Sequence, residues 1–239
     1  MNRPLRNSTR RLLDLARDYP GVPLRRTVAA GGARWVQALP DRVRRRLDLE
    51  GEAIRPLRVE IGGGPFPSPG YLHVDADRSS RHLEHVAPAW QLPFPDASVA
   101  ELLAIHVLEH VHPSQVERTL REWRRVLEPD GFAEIHVPNA ATVFAAFLNT
   151  TGPRKWDLLI PIFGMTADPA SQDSPSAELA RHHVIYDFDL LRQALLAAGF
   201  DQVSDVSEQV TDRHTEGWAE SDLVSRISLV VRAVAGPAR

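Results

Sequence analysis

The stretch VEIGGGPFPSPGYLHVDAD, residues 59–77, sets the tightest limit on what this chain can fold into. LRVEI (57–61) and YLHVD (71–75) are short apolar runs of the kind that form buried strands. Only nine residues, Gly62 to Gly70, link them, which is short for a helical crossover between parallel strands. Glycines at 62, 63 and 64 permit a sharp turn or a close approach by another group. The prolines at 65, 67 and 69 argue against an immediate regular helix. A dinucleotide fingerprint is therefore incomplete. Gly62 and Gly64 fit G-x-G-x-x-G, but Pro67 stands in the third place, and a pyrophosphate would lack its seat on a helix N-terminus.

The order of elements widens the picture. Two helices are expected near Leu5–Asp18 and Ala33–Leu47, separated by the breaker-rich YPGVPL. VAELLAIH (99–106) is a further apolar strand. Pro113 opens a helix whose Val116, Leu120, Trp123 and Leu127 share one face, and Pro129-Asp130-Gly131 ends it. FAEIHV (132–137) is the next strand, closed by Pro138-Asn139. Residues 139–185 are less regular. In DFDLLRQALLAAGF, Asp187 is a fitting N-cap, Leu190, Leu191, Ala194 and Leu195 form a face, and Gly199 is a stop. Strands at Gln202–Val210 and Ile227–Val234 follow. Alternating strands and helices predict a parallel, doubly wound α/β sheet, whose ligands lie beyond the carboxyl ends of the central strands. A ligand is thus expected on the glycines after the first strand.

A ligand without a diphosphate would ask for close backbone approach and a carboxylate for its sugar hydroxyls. Asp75, at the end of the second strand, is placed to accept from such a diol; the plainer alternative is a tight turn with a solvent-facing carboxylate. S-adenosylmethionine, with a zwitterionic amino acid, a sulfonium and a ribose, meets that description.

Four motifs occur in order: VEIGGGPFPSPGYLHVDAD, LPFPDASVAELLAIHVLEHV, LREWRRVLEPDGFAEIHVPN and HHVIYDFDLLRQALLAAGF. Together they resemble a class I S-adenosylmethionine-dependent methyltransferase of the methyltransferase type 11-like group, over about residues 57–200. The nearest likeness is to a bacterial branch associated with glycan or secondary-metabolite pathways. The resemblance implies a Rossmann-like, seven-stranded α/β sheet whose last strand runs antiparallel. It implies S-adenosylmethionine as cofactor, with Glu60, Gly62, Gly63 and Gly64 around the methionine moiety and Asp75 on the ribose. Leu92 and Phe94 fall near the adenine, and His106 beside the sulfonium. The acid that such proteins often carry just before LPF is missing, because this chain reads VAPAWQ there.

Composition bounds the rest. The net charge of −3 divides unevenly: residues 1–50 hold 12 Arg against 5 acidic residues, and the remainder holds 16 basic against 26 acidic. Taken with the resemblance, this asymmetry leads to the expectation of a helical basic extension (1–56) and a methyltransferase domain (57–239), with 139–185 as a lid or substrate-binding insertion. The arm reads as a solvated helical appendage on an acidic body, or as an anchor for phosphates, an acidic partner or a membrane surface. One lysine beside 27 arginines marks a chain-wide bias that weakens arguments from arginine alone. Absence of cysteine excludes disulfides and thiolate chemistry. No apolar run reaches the roughly 20 residues of a membrane span, and the N-terminus lacks signal-peptide features; the cytoplasm is the expected compartment.

Methyl transfer from a sulfonium needs alignment of nucleophile, methyl and sulfur, and an oxygen or nitrogen acceptor also needs a proton acceptor, for which histidine suits neutral pH. The candidates are His106, His182 and His183, with His110 read as structural. His106, Glu109 and His110 are of metal-ligand type, but spacing does not show that they converge, and a further ligand, His182 or His183, would be needed; no metal is assigned. Phe144, Phe147, Trp156, Leu158, Leu159, Ile160, Ile162, Phe163 and Met165 offer apolar surface for an acceptor, for core packing or for a homodimer contact. The leading expectation is an O-methyltransferase acting on a small sugar-like or secondary-metabolite acceptor. The alternatives are a nucleic-acid or protein methyltransferase using the arginine-rich arm, and a cofactor-binding protein without transfer activity. The chain lacks the N/D-P-P-Y/F signature of many amino-group methylases, reading IHVLEH instead.

Overall fold

In a computed structural model of the chain, the described residues are 56–64, 67–78, 80, 83–164, 181–209 and 227–237. The two N-terminal helices and the basic arm expected from the sequence lie outside them.

The core is one seven-stranded sheet in the order β3-β2-β1-β4-β5-β7-β6. Its strands are β1 (Arg58–Ile61), β2 (Leu72–Asp75), β3 (His85–Val86), β4 (Val99–Ile105), β5 (Leu127–Pro138), β6 (Gln202–Asp205) and β7 (Ser228–Val234). β1 to β5 pair in parallel, while β7 runs antiparallel to both β5 and β6. The doubly wound sheet with a C-terminal antiparallel strand is therefore the fold. The two-residue β3 has no sequence signature of its own, because periodicity needs several residues to show. β4 and β5 read as nearly continuous apolar runs because strands buried on both faces have no polar side.

Described helices flank the sheet. α1 (Pro113–Val126) begins at its proline, where a missing N–H costs nothing, and His112 caps it by accepting from Ser114 N. Leu120 and Trp123 are fully buried as the helical spacing predicts, and Trp123 Nε1 donates to Ala89 O at 3.0 Å. The helix stops at Val126, earlier than Pro129-Asp130-Gly131. Leu127 already pairs with Val99, and the ladder resumes at Phe132 with Glu101, so residues 128–131 loop out within β5. Asp130 takes a left-handed φ of 62° there.

α2 (Ala140–Asn149) occupies part of the segment expected to be irregular. Asn139 Oδ1 caps it by accepting from the amides of Ala141 and Thr142. Two 3₁₀ turns and the short α3 (Ile160–Phe163) follow. Leu158 is buried, whereas Phe144, Leu148, Trp156, Ile160 and Phe163 are exposed; Met165 lies outside the described residues. α4 (Phe188–Ala197) begins at the N-cap Asp187, which accepts from Leu190 N at 2.8 Å. Leu191 and Leu195 are fully buried and Ala194 packs on the core, but Leu190 is half exposed and falls off the predicted face. β6 ends at Asp205 rather than continuing, because Asp205 accepts from the amide and hydroxyl of Ser207 and turns the chain. Val210 lies outside the described residues.

Candidate functional site

β1 and β4 are neighbours in the centre of the sheet, with β2 beyond β1 and β5 beyond β4. This is the switch point of the winding, where the loops leaving adjacent strands diverge and leave a crevice. Two such loops carry the sequence-predicted residues.

Leaving β1, Gly62 N donates to Val74 O at 2.8 Å and the backbone takes a φ of 68°. A Cβ at Gly62 would stand 2.5 Å from Val107 Cγ2, so the glycine turn and the β4 exit touch. Gly64, with a φ of 52°, faces open space: the nearest atom to a Cβ there is Gly62 O at 4.0 Å. Gly63 packs inward, where a Cβ would meet Glu60 Oε2 at 3.0 Å. Glu60 itself is buried and committed to the loop. Its oxygens accept from Ser68 N at 2.6 Å and Ser68 Oγ at 2.8 Å. His73 Nδ1 lies 2.8 Å from Oε2, close enough for an ion pair but without hydrogen-bond alignment. Glu60 therefore holds the turn from beneath.

Asp75 ends β2 beside this turn. Oδ2 accepts from Gly64 N at 3.4 Å and from Ser80 Oγ at 2.8 Å, and Oδ1 accepts from Asp77 N at 2.9 Å. A carboxylate offers about four lone-pair positions, so it is oriented by its own loop and still has acceptor capacity. Ser68 and Ser80, which organise the two carboxylates, carry no sequence signal beyond their presence in a loop. Leu92 and Phe94 are both buried in the core. Phe94 meets His85 edge-on at 5.6 Å, and burial holds the His85 imidazole below its ordinary pKa. Their segment is tied to α1 by Leu92 N donating to Glu122 Oε1 and by Arg125 donating to Phe94 O. Contact between this segment and a ligand thus falls to its backbone or its exposed neighbours.

Leaving β4, His106 takes a left-handed φ of 52°, and its amide donates to His136 O. His106 Nδ1 pairs with Glu109 Oε1 at 2.8 Å, and Ser228 Oγ, at the start of β7, lies 3.2 Å from Nε2. In the neutral ring, Nδ1–H donates to the carboxylate and Nε2 accepts from the serine. Glu109 sits on the 3₁₀ turn Leu108–His110 and is fully buried. Burial pushes its carboxyl up, but His106 chiefly, with His110 and His182, outweighs that and holds it below the ordinary range. Among the described residues, Glu109 Oε2 has no hydrogen-bond partner, and neither does the buried Tyr186 hydroxyl. Burial, then the charge of Glu109, pushes the Tyr186 phenol well above its usual value.

The adjacent histidines separate. His182 is half buried, its Nδ1 on Pro161 O at 2.9 Å, and its ring meets that of His110 at 4.7 Å. Burial lowers its pKa, Glu109 opposing. His183 is exposed and packs on His112 at 5.5 Å, while its amide donates to Glu109 O. The structure therefore brings His106, Glu109, His110 and His182 together and leaves the His183 ring on the solvent side. The Glu109–His110–His182 convergence spans over seventy positions of chain, which explains why spacing could not establish it.

The residues fit S-adenosylmethionine. Gly64 leaves main chain uncovered where a side chain would intrude, Asp75 is an oriented acceptor beside it, and the turn sequence GGGPFPSPG holds no Lys or Arg for a diphosphate. That cofactor, when bound, supplies an electrophilic methyl group on a sulfonium.

Residues 67–135 match a family model described as a methyltransferase domain. Among solved structures, a SAM-dependent methyltransferase from Thermotoga maritima is 15% identical, with a TM-score of 0.47, covering 98% of this chain and 96% of that one. YcgJ from Bacillus subtilis is 15% identical with a TM-score of 0.42, covering 76% and 94%. The citrinin polyketide synthase CMeT domain is 16% identical with a TM-score of 0.46, covering 86% of this chain and 53% of that one; the chain spans about half its length. No curated protein matches the sequence. No helix among the described residues is long and apolar enough to cross a membrane. The family match runs from β2 into β5 of a sheet whose order closes on one antiparallel strand, so over residues 67–135 the chain is similar to a methyltransferase domain.

Proposed function

We propose that the protein transfers a methyl group from S-adenosylmethionine to a hydroxyl oxygen of a small, sugar-like or secondary-metabolite acceptor. The observation that carries this reading is the contact between Gly62 and Val107. It sets the bare main chain of the glycine turn against the loop that carries the His106–Glu109 pair. In this reading Gly62, Gly63 and Gly64 carry the amino-acid end of the cofactor, with Glu60 fixing the turn below them, and Asp75 accepts from the ribose diol. The backbone of the Leu92–Phe94 segment borders the adenine. His106 receives the acceptor's proton at Nε2, and Glu109 fixes the tautomer and orientation of the ring, as carboxylates do for catalytic imidazoles. Ser228, which now donates to Nε2, gives way to the acceptor hydroxyl. His182 borders the acceptor from the far side, and His183 contributes its backbone rather than its ring. The exposed apolar side chains of α2 and α3 receive the acceptor's carbon skeleton.

Calorimetry with S-adenosylmethionine and S-adenosylhomocysteine tests the cofactor half. Both bind the wild type, and Asp75→Ala weakens them by at least about tenfold, the loss expected of a charge-assisted hydrogen-bonded pair. Unchanged affinity in that variant would falsify the assignment. For the chemical half, His106→Ala keeps cofactor affinity and loses transfer of labelled methyl to a panel of sugar and phenolic hydroxyls. Wild-type turnover in His106→Ala removes histidine from the mechanism.

A further inference from the structure

We infer that Glu109, His110 and His182 form a binding site for a divalent transition-metal ion. One ligand-type atom from each residue lies within 4.8 Å of the others. Three atoms at that limit stand about 2.8 Å from a common centre, so an ion with ligands at about 2.1 Å draws each in by less than about 1 Å.

What marks the cluster as a metal site is how each side chain is held. With Glu109 Oε2 and the Nε2 atoms of His110 and His182 taken as the ligand atoms, the remaining atom of each is already committed. Glu109 Oε1 pairs with His106 Nδ1 at 2.8 Å. His110 Nδ1 faces Arg181 O at 3.1 Å, and His182 Nδ1 faces Pro161 O at 2.9 Å. A carbonyl accepts only, so both imidazoles carry their proton on Nδ1 and present the Nε2 lone pair. Metal-binding histidines and carboxylates are typically fixed by such outer hydrogen bonds. A purely structural polar cluster would satisfy itself internally, since buried polar atoms nearly always find partners. Here Glu109 Oε2, fully buried, has none among the described residues. His182 is also clamped through its backbone, its amide donating to Phe163 O at 3.2 Å. The site would therefore tie the β4 exit to α3 and to the segment entering α4.

Two imidazoles and one carboxylate suit zinc, iron, cobalt or nickel better than magnesium or calcium, which prefer oxygen. Three protein ligands leave coordination positions open to water or another small ligand. The site rests on this geometry and shares Glu109 and His182 with the methyl-transfer reading, but its test reads metal uptake rather than transfer. Loss of one does not entail loss of the other.

The test uses untagged full-length protein stripped with chelator and titrated with Zn²⁺ against a chromophoric competitor, and separately with Co²⁺ by visible absorption. The wild type takes up one equivalent, its cobalt form shows the d–d bands of a nitrogen-ligated ion, and zinc raises its melting temperature. His110→Ala and His182→Ala, both at partly exposed positions, each weaken zinc by at least about tenfold, a loss at least that of removing an outer-shell partner. His183→Ala and His112→Ala bind as the wild type does. Glu109→Gln is the third ligand variant, and if it fails to fold the two histidine variants still decide. Absence of stoichiometric uptake by the wild type overturns the site. So does equal affinity in the His110→Ala and His182→Ala proteins, or equal loss in the His183→Ala and His112→Ala controls.

Discussion

Gly62 and Gly64 sit two residues apart in one turn, both left-handed, yet they meet different surroundings. An alanine at either position carries the strain of a positive φ, about 1 kcal/mol or more. At Gly62 the added carbon also meets Val107 Cγ2 at 2.5 Å, whereas at Gly64 it meets nothing closer than 4.0 Å. Urea denaturation should therefore find Gly62→Ala the more destabilised of the two, by roughly 1–3 kcal/mol, the usual cost of overpacking. Gly64→Ala should keep most of its stability while losing cofactor affinity, because its methyl enters the open side of the turn. Equal stability losses in the two variants would mean that Val107 moves aside freely. At this scale much of the candidate site was legible. The glycine turn and Asp75 announce themselves because backbone conformation and a strand-end acid are local properties. The converging Glu109, His110 and His182 do not, since Arg181, whose carbonyl fixes His110, is separated from it by 71 positions.

Among elements, the pairing of β5 with β7 carries a charge that responds to pH. Glu134 on β5 is buried and accepts from Arg232 on β7 at 2.8 Å and lies 3.2 Å from His136 Nε2. Burial pushes its carboxyl up, but His136 and Arg232 outweigh that and hold it at about 2, against an ordinary value of 4.5. A depressed folded-state value means stability that is fully present above 4.5 and lost as pH falls toward 2. The loss is on the order of 2 kcal/mol after allowance for partial solvent screening. Denaturation midpoints measured across that window should fall more steeply for the wild type than for Glu134→Gln; parallel profiles would remove Glu134 from acid unfolding. Elements with strong periodicity or a cap were readable, α4 almost to the residue and α1 at its start, whereas the end of α1 was expected beyond Val126. α2 was not, although Asn139 stood as its cap, because AATVFAAFLN is apolar on several faces and shows no clear stripe. β6 ended early because a local Asx turn at Asp205 outcompetes strand propensity.

For the whole molecule, a ligand that binds only the folded state stabilises it by mass action. S-adenosylhomocysteine at one hundred times its dissociation constant adds about 2.7 kcal/mol. For a chain of this size that shifts the melting temperature by roughly 5–10 °C. NAD and ATP, which need an anion seat that the glycine turn lacks, should shift it far less. A larger shift with NAD than with S-adenosylhomocysteine would point to a dinucleotide site instead. The global fold was legible because the alternation of strands and helices, together with the motif order, leaves few windings. The antiparallel β7 followed only from the resemblance, since no local signal sets strand direction.

The hydrogen bond between Ser228 and His106 joins residues 122 positions apart. Ser228 opens β7, and β7 is inserted between β5 and β6 rather than added at an edge. A nascent chain released as far as β6 thus lacks the neighbour that positions this imidazole. Contacts of such long range form late, after the entropy of closing the intervening chain has been overcome. Full orientation of His106 therefore waits on docking of β7, so a half-made molecule can acquire its glycine turn before it acquires that histidine's second partner.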